Sequence, residues 1–195
     1  MSAGERAAVG FSTHTGWAAA VVLSGSVERP RVVHRARIEL WELADGFIYH
    51  RAAELDPEAG RKLIQRAEEL SRRKAREGLR TLLEPLQVPL SAAGIVGANA
   101  RLPSDLTAIL KSHALVHAAE GELFRRALAL ASEGAGLKVA TVPARKLPAM
   151  AAQALGIGEA EVPRRVADLG RGLGAPWGKD QKDAAAVAWV ALASV

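Results

Sequence analysis

Three features of this chain predict an α/β fold on a five-stranded mixed sheet, three antiparallel strands followed by two parallel ones, with helices on both faces. The first is an opening hairpin: an apolar run over 7–12 enters the polar turn Ser12-Thr13-His14-Thr15-Gly16, and a second apolar run leaves over 17–23. The second is a long helical periodicity after a third strand. The third is a pair of short apolar runs, each preceded by a helix. The resulting order is βββ-α-β-α-β-α, and right-handed crossovers set the last two strands parallel to the first.

Each element has a local cause. Ser24-Gly25-Ser26 and Pro30 punctuate the link to a third strand over 31–40, whose second half alternates polar and apolar residues as an edge strand does. Residues 41–56 read as irregular and hold Tyr49-His50, a candidate functional loop. Asp56 is placed to cap a helix and Pro57 suits its first turn, while Leu63, Ile64, Ala67 and Leu70 recur at helical spacing. This helix is expected over about 57–86, where Pro85 and Pro89 end it. A buried strand follows over 92–98. After Pro103-Ser104-Asp105 one helical region extends to about Ser132, Gly134 and Gly136 stop it, and 137–142 forms the fifth strand. The chain closes on a largely apolar helix over 182–195 that packs on the sheet.

Composition narrows the function classes. With 195 residues, 49% hydrophobic and 24% charged, the chain is read as one well-cored globular domain over 1–195. Only 4% of residues are aromatic, so Ala, Val and Leu build the core. The absence of cysteine excludes disulfides, thiolate zinc sites and cysteine nucleophiles, and fits a reducing compartment. No secretory signal and no membrane-length apolar run is read, so a cytoplasmic protein without membrane contact is expected. The net charge of +5 is concentrated in one place. Between Arg61 and Arg80 eight basic residues face three acidic ones, a surplus of five. Arg72, Arg73, Lys74 and Arg76 are the candidate nucleic-acid contacts on this helix, through phosphate neutralisation. A solvated face with charge pairs at helical spacing is the commoner role of such a helix.

Three segments carry a family resemblance. Gly10-Phe11-Ser12 in the opening hairpin resembles a strand-turn-strand that starts Gly-x-Asp. Lys179-Asp180-Gln181-Lys182-Asp183, followed by Ala184-Ala185-Ala186-Val187-Ala188, looks like a signature of two aspartates three apart before an alanine-rich closing helix. Between them, 121–142 followed by Pro143-Ala144-Arg145-Lys146-Leu147 is similar to a helix, a strand and a basic helix start. Together they resemble RuvC-type Holliday-junction resolvases of the ribonuclease H-like superfamily. The likeness spans nearly the whole chain in element order but only these segments in residues.

The resemblance implies a ribonuclease H-like fold, DNA or RNA as partner, and phosphodiester hydrolysis with Mg²⁺ or Mn²⁺. Carboxylates from three places would hold two ions about 4 Å apart, clamping the attacking and leaving oxygens. Asp180 and Asp183 supply one of these places, on one helix face. Ser12 stands where the family has its first aspartate, and Gly97-Ala98-Asn99 offers no carboxylate at the second place. Weak ion binding at Asp180 and Asp183 is therefore expected, with no assured nuclease activity. Both aspartates also suit a plain capping role at the start of the last helix.

Other clusters complete the candidate set. Ser12, Thr13, His14 and Thr15 put four hydrogen-bonding side chains in one turn, suited to a phosphate or to acid–base work. His113, His117 and Glu120 fall at i, i+4 and i+7 on one helix face, a spacing that can hold a transition metal. His14, Asn99, His113 and Asp183 are expected to line one pocket covered by Tyr49 and His50. The leading expectation is a nucleic-acid-binding protein with a degenerate metal site. Beside it stand a binder of, or enzyme for, a small phosphorylated ligand using Ser12–Thr15, and a non-catalytic assembly protein whose last helix forms a homo-oligomer surface.

Overall fold

The computed structural model describes residues 6–41, 47–99 and 101–195. Part of the segment expected to be irregular, 42–46, and the N-terminal residues 1–5 lie outside the described residues. Strands β1 (Ala7–His14), β2 (Trp17–Gly25), β3 (Pro30–Glu39), β4 (Leu90–Gly97) and β5 (Lys138–Pro143) form one sheet in the order β3-β2-β1-β4-β5. β1 pairs antiparallel with β2 and parallel with β4, and β4 pairs parallel with β5, as expected from the element order.

Helices α1 (Ile48–Glu54), α2 (Pro57–Leu83), α3 (Leu106–Leu110) and α4 (His113–Gly134) precede β5, and α5 (Leu147–Leu155), α6 (Val162–Asp168) and α7 (Lys179–Leu192) follow it. Strand alternation divides the core in two. Val9 and Phe11 of β1 pack with Ile48, Ile64, Leu79 and Phe124 under α1, α2 and α4. Ala8 of β1 packs with Leu147, Val166, Val187 and Leu192 under α5, α6 and α7.

Two sequence expectations about local structure change. Tyr49-His50 belongs to helix α1 rather than to an irregular loop, and the Tyr49 side chain packs against the core beneath it. The single helix expected before β5 is two helices. Asp105 caps α3 through the amides of Thr107 and Ala108, and Ser112 caps α4 by accepting from Leu115 N at 3.4 Å. A side-chain oxygen that satisfies N-terminal amides starts a new helix, so the break falls at Ser112. Asp56 caps α2 as expected, accepting from Glu58 N and Ala59 N at 3.1 and 3.0 Å.

The closing helix sits unusually deep. A Cβ on Gly10 of β1 would lie 2.6 Å from Ala188 N and 2.9 Å from Ala188 Cβ, and closer still to Ala184 O. One on Gly94 of β4 would meet Val187 backbone in the same way. Glycine at these two strand positions lets the α7 backbone rest on the sheet. Ala184, Ala185, Val187, Ala188, Ala191 and Leu192 are fully buried as a result. The face proposed from sequence as an oligomer surface is therefore used inside the domain.

Candidate functional site

Close packing of α7 brings its first turn to the C-terminal end of β1. Ser12 lies on the α7 side of the sheet, two residues after Gly10, and is 6% exposed. His14 Nε2 lies 2.8 Å from Asp180 Oδ1, the geometry of a ring N–H donating to a carboxylate. The other end of the imidazole is fixed by stacking on Trp17, with ring centroids 4.4 Å apart and planes 10° from parallel. Arg37 covers the Trp17 ring at 3.9 Å, a cation–π contact. Asp180 also stands in the first turn of α7, where the helix dipole favours a negative charge.

One turn further on, Asp183 accepts a hydrogen bond from Lys179 Nζ. That bond raises the Lys179 pKa above its ordinary value; desolvation opposes this, and the charges of Asp183 and Asp180 add to it. Lys179 thus stays an ammonium beside the carboxylate. The segment leading into α7 is held by Arg35 of β3. Its Nη1 donates to Gly174 O and Pro176 O at 2.9 and 2.6 Å, and its Nη2 to Leu173 O and Ala175 O at 2.6 and 3.2 Å. One planar guanidinium thereby satisfies four successive carbonyls and positions the helix start.

The other predicted residues fall into separate groups. Asn99 Oδ1, beyond the end of β4, accepts from Arg145 N at 2.9 Å and ties that strand to the turn after β5. His113 and His117 cluster with His50 of α1, not with His14. The expected common pocket of His14, Asn99, His113 and Asp183, covered by Tyr49 and His50, is thus corrected for His113, Tyr49 and His50, which lie on the other sheet face from α7, where Asp183 stands and His14 meets Asp180. The cause is topological, since α4 and α7 lie on opposite faces of the sheet. The phosphate-cradle reading of Ser12–Thr15 is corrected as well. The strand continues to His14, so Ser12 and Thr13 point to opposite faces, and only Thr15 and Gly16 make the turn. The Thr13 hydroxyl is buried and has no hydrogen-bond partner among the described residues.

On α2 the basic residues are largely matched by acidic neighbours. Arg72 pairs with Glu68 at 3.2 Å, and Arg73 and Lys74 each lie 4.0 Å from Glu77. Arg76 is exposed. Arg66 and Arg73 also line a groove of about 450 Å³ between α1 and α2, together with Trp41 and Arg51. Sequence reasoning missed Arg35, the pairing of Lys179 with Asp183, Gly94 and this groove. Of these, Gly94 carried a signal as a glycine inside a strand run, and Lys179 as a cation four residues before Asp183 on a helix.

The fold finds counterparts among solved structures. T. thermophilus RuvC in complex with a Holliday junction substrate is similar with a TM-score of 0.51 and 17% identity, over 95% of this chain and 91% of that chain. A second Thermus thermophilus RuvC structure gives 0.53 and 14%, over 94% and 91%. The chain has the RuvC fold. This is the ribonuclease H-like architecture expected from the opening hairpin and the closing Asp180/Asp183 helix. The sequence matches no protein-family model and no curated protein.

Within this RuvC fold, the donor set does not fit a pair of hard divalent cations. Such ions take several anionic oxygens at once. Here Ser12 supplies a neutral, nearly buried hydroxyl, and the Asn99 carboxamide oxygen is engaged by Arg145 N. The two carboxylates are engaged by His14 and Lys179.

Proposed function

We propose that this protein binds nucleic acid through a RuvC-type scaffold whose catalytic carboxylate set has been replaced, so that binding does not require a divalent metal. The observation that carries this reading is that both remaining carboxylates are met by basic side chains of the protein itself, Asp180 by the His14 imidazole and Asp183 by the Lys179 ammonium. A carboxylate-rich site repels phosphate until a cation neutralises it. In this chain Lys179 permanently offsets one of the two carboxylates, so less negative charge is left there for an added ion to neutralise before phosphate approaches. Exposed Arg73 and Arg76 of α2, and exposed Arg145 and Lys146 in the turn after β5, supply further charge for the backbone.

The test measures binding to four-way-junction DNA, duplex DNA, single-stranded DNA and RNA, with Mg²⁺ and with EDTA. Binding equal in the two conditions, weakening steeply with salt and largely lost on joint replacement of Arg72, Arg73 and Arg76 by Ala, is the expected result. Cleavage is assayed in parallel with the native protein and with Ser12→Asp and Asp183→Asn. Native, Mg²⁺-dependent cleavage that disappears in Asp183→Asn overturns the reading, as does failure to bind any of these nucleic acids at low salt.

A further inference from the structure

On the other face of the sheet, three histidines from two helices converge. His113 and His117 sit at i and i+4 in the first turns of α4, and His50 reaches them from the first turn of α1. The ring centroids of His50 and His117, and of His113 and His117, are 4.4 Å apart. Each of the three offers a ring nitrogen within 4.8 Å of the others. His113 and His117 are exposed, and His50 is half-buried.

Behind this cluster lies Glu120, only 2% exposed. Its Oε1 accepts from Tyr49 N at 2.7 Å and from His50 N at 3.3 Å, so it caps α1 from a neighbouring helix. Phe47, at the N-cap position of α1, has no side chain able to do so. The same oxygen is 3.3 Å from His50 Nδ1. A carboxylate accepting from Nδ1–H fixes the imidazole tautomer and leaves Nε2 as the free ligand nitrogen of His50. This is the carboxylate–histidine arrangement that orients a metal ligand. Among the described residues the buried Glu120 Oε2 has no hydrogen-bond partner, an orphaned carboxylate oxygen that a nearby dication would stabilise.

We propose that His50, His113 and His117 form a Zn²⁺ site, with Glu120 as the positioning residue of His50 and the fourth coordination position open to water or an anion. Three imidazole nitrogens without an oxygen-rich cage select a late first-row ion over Mg²⁺. Tetrahedral zinc with bonds of about 2.0–2.1 Å sets its nitrogens roughly 3.3 Å apart. Two of the three side chains are exposed and rotate into that geometry without displacing core. The site does not depend on the nucleic-acid reading: it shares the sheet face of α2, but none of its three imidazoles nor Glu120 is among the residues which that reading uses.

The experiment titrates the untagged full-length protein with Zn²⁺ by calorimetry and with Co²⁺ by visible absorption, whose intensity reports four-coordinate geometry. One ion per chain is expected. His113→Gln and His117→Gln, at exposed positions that leave the fold intact by circular dichroism, each abolish the Co²⁺ band. Glu120→Gln weakens affinity by about 10- to 100-fold. Absence of saturable binding overturns the proposal. So does binding that persists in the His113→Gln/His117→Gln double variant, or that is lost in Asp180→Asn/Asp183→Asn instead.

Discussion

Replacing Gly10 with alanine tests whether the contact between α7 and the sheet builds the candidate cleft. The new Cβ would lie 2.6 Å from Ala188 N, whereas ordinary contact begins at 3.4 Å, and it would be nearer still to Ala184 O. The obstacle is helix backbone, which has no rotamer to move aside, so α7 must retreat by at least the 0.8 Å difference. A retreat of that size along the His14–Asp180 vector would stretch their 2.8 Å contact to about 3.6 Å, outside hydrogen-bond range. Overpacking of this kind costs about 3 kcal/mol. For a domain of this size that lowers Tm by roughly 6–12 °C. Urea unfolding of the native protein, Gly10→Ala, Gly94→Ala and the double variant measures it. Because both glycines face the same helix, one displacement relieves both clashes, and the double variant loses less than the sum of the singles. Gly134→Ala is the control: a Cβ there meets nothing within 4 Å, and stability is expected to hold or rise slightly. Gly10→Ala unfolding at the same urea concentration as this control would refute the reasoning.

Three further predictions follow from individual contacts. Burial first, then the charges of Glu68 and Glu120, push the Tyr49 phenol up to about 12 from its ordinary 10.0, while Arg126 opposes the shift. The folded state therefore keeps this proton longer than the unfolded one. The associated stability is complete below pH 10 and is lost as pH rises from 10 through 12. Tyr49 is the one tyrosine of the chain, so the ultraviolet phenolate band reports it alone, and a midpoint near pH 10 in the folded protein contradicts the assignment. Asp56→Ala removes two capping bonds from α2 and is expected to cost about 1 kcal/mol by urea unfolding, whereas Asp56→Asn keeps most of it. Arg35→Ala leaves four carbonyls without their donor, and hydrogen exchange should quicken across the first turn of α7 more than across α4; equal change in both helices speaks against the positioning role.

Much of the fold was legible because its signals are local. The apolar runs of β1 and β2, the Asp56-Pro57 helix start and the proline stops follow from backbone preferences and periodicity that a single segment carries. The break at Ser112 was the local signal that went unread, because apolar residues continue across it. The turn at Ser12–Thr15 misled for a related reason: polar side chains look like a loop, yet cross-strand pairing with Trp17, Ala18 and Ala19 extends β1 to His14. Tyr49-His50 looked irregular because α1 borrows its cap from Glu120, 70 residues away from His50, and no nearby residue announces the helix.

The sequence by itself determined the order of elements, the two-faced sheet, the neutral side chains at Ser12 and Asn99, and the carboxylate pair Asp180 and Asp183. Which of these groups meet was decided only by the tertiary structure. Side-chain partnerships depend on sheet face and helix depth, and neither is encoded at any one position. Gly10 and Gly94 seat α7 against β1 and β4, and that contact pairs His14 with Asp180. The crossover of α4 to the opposite face separates His113 from them and gives it to His50 and His117 instead.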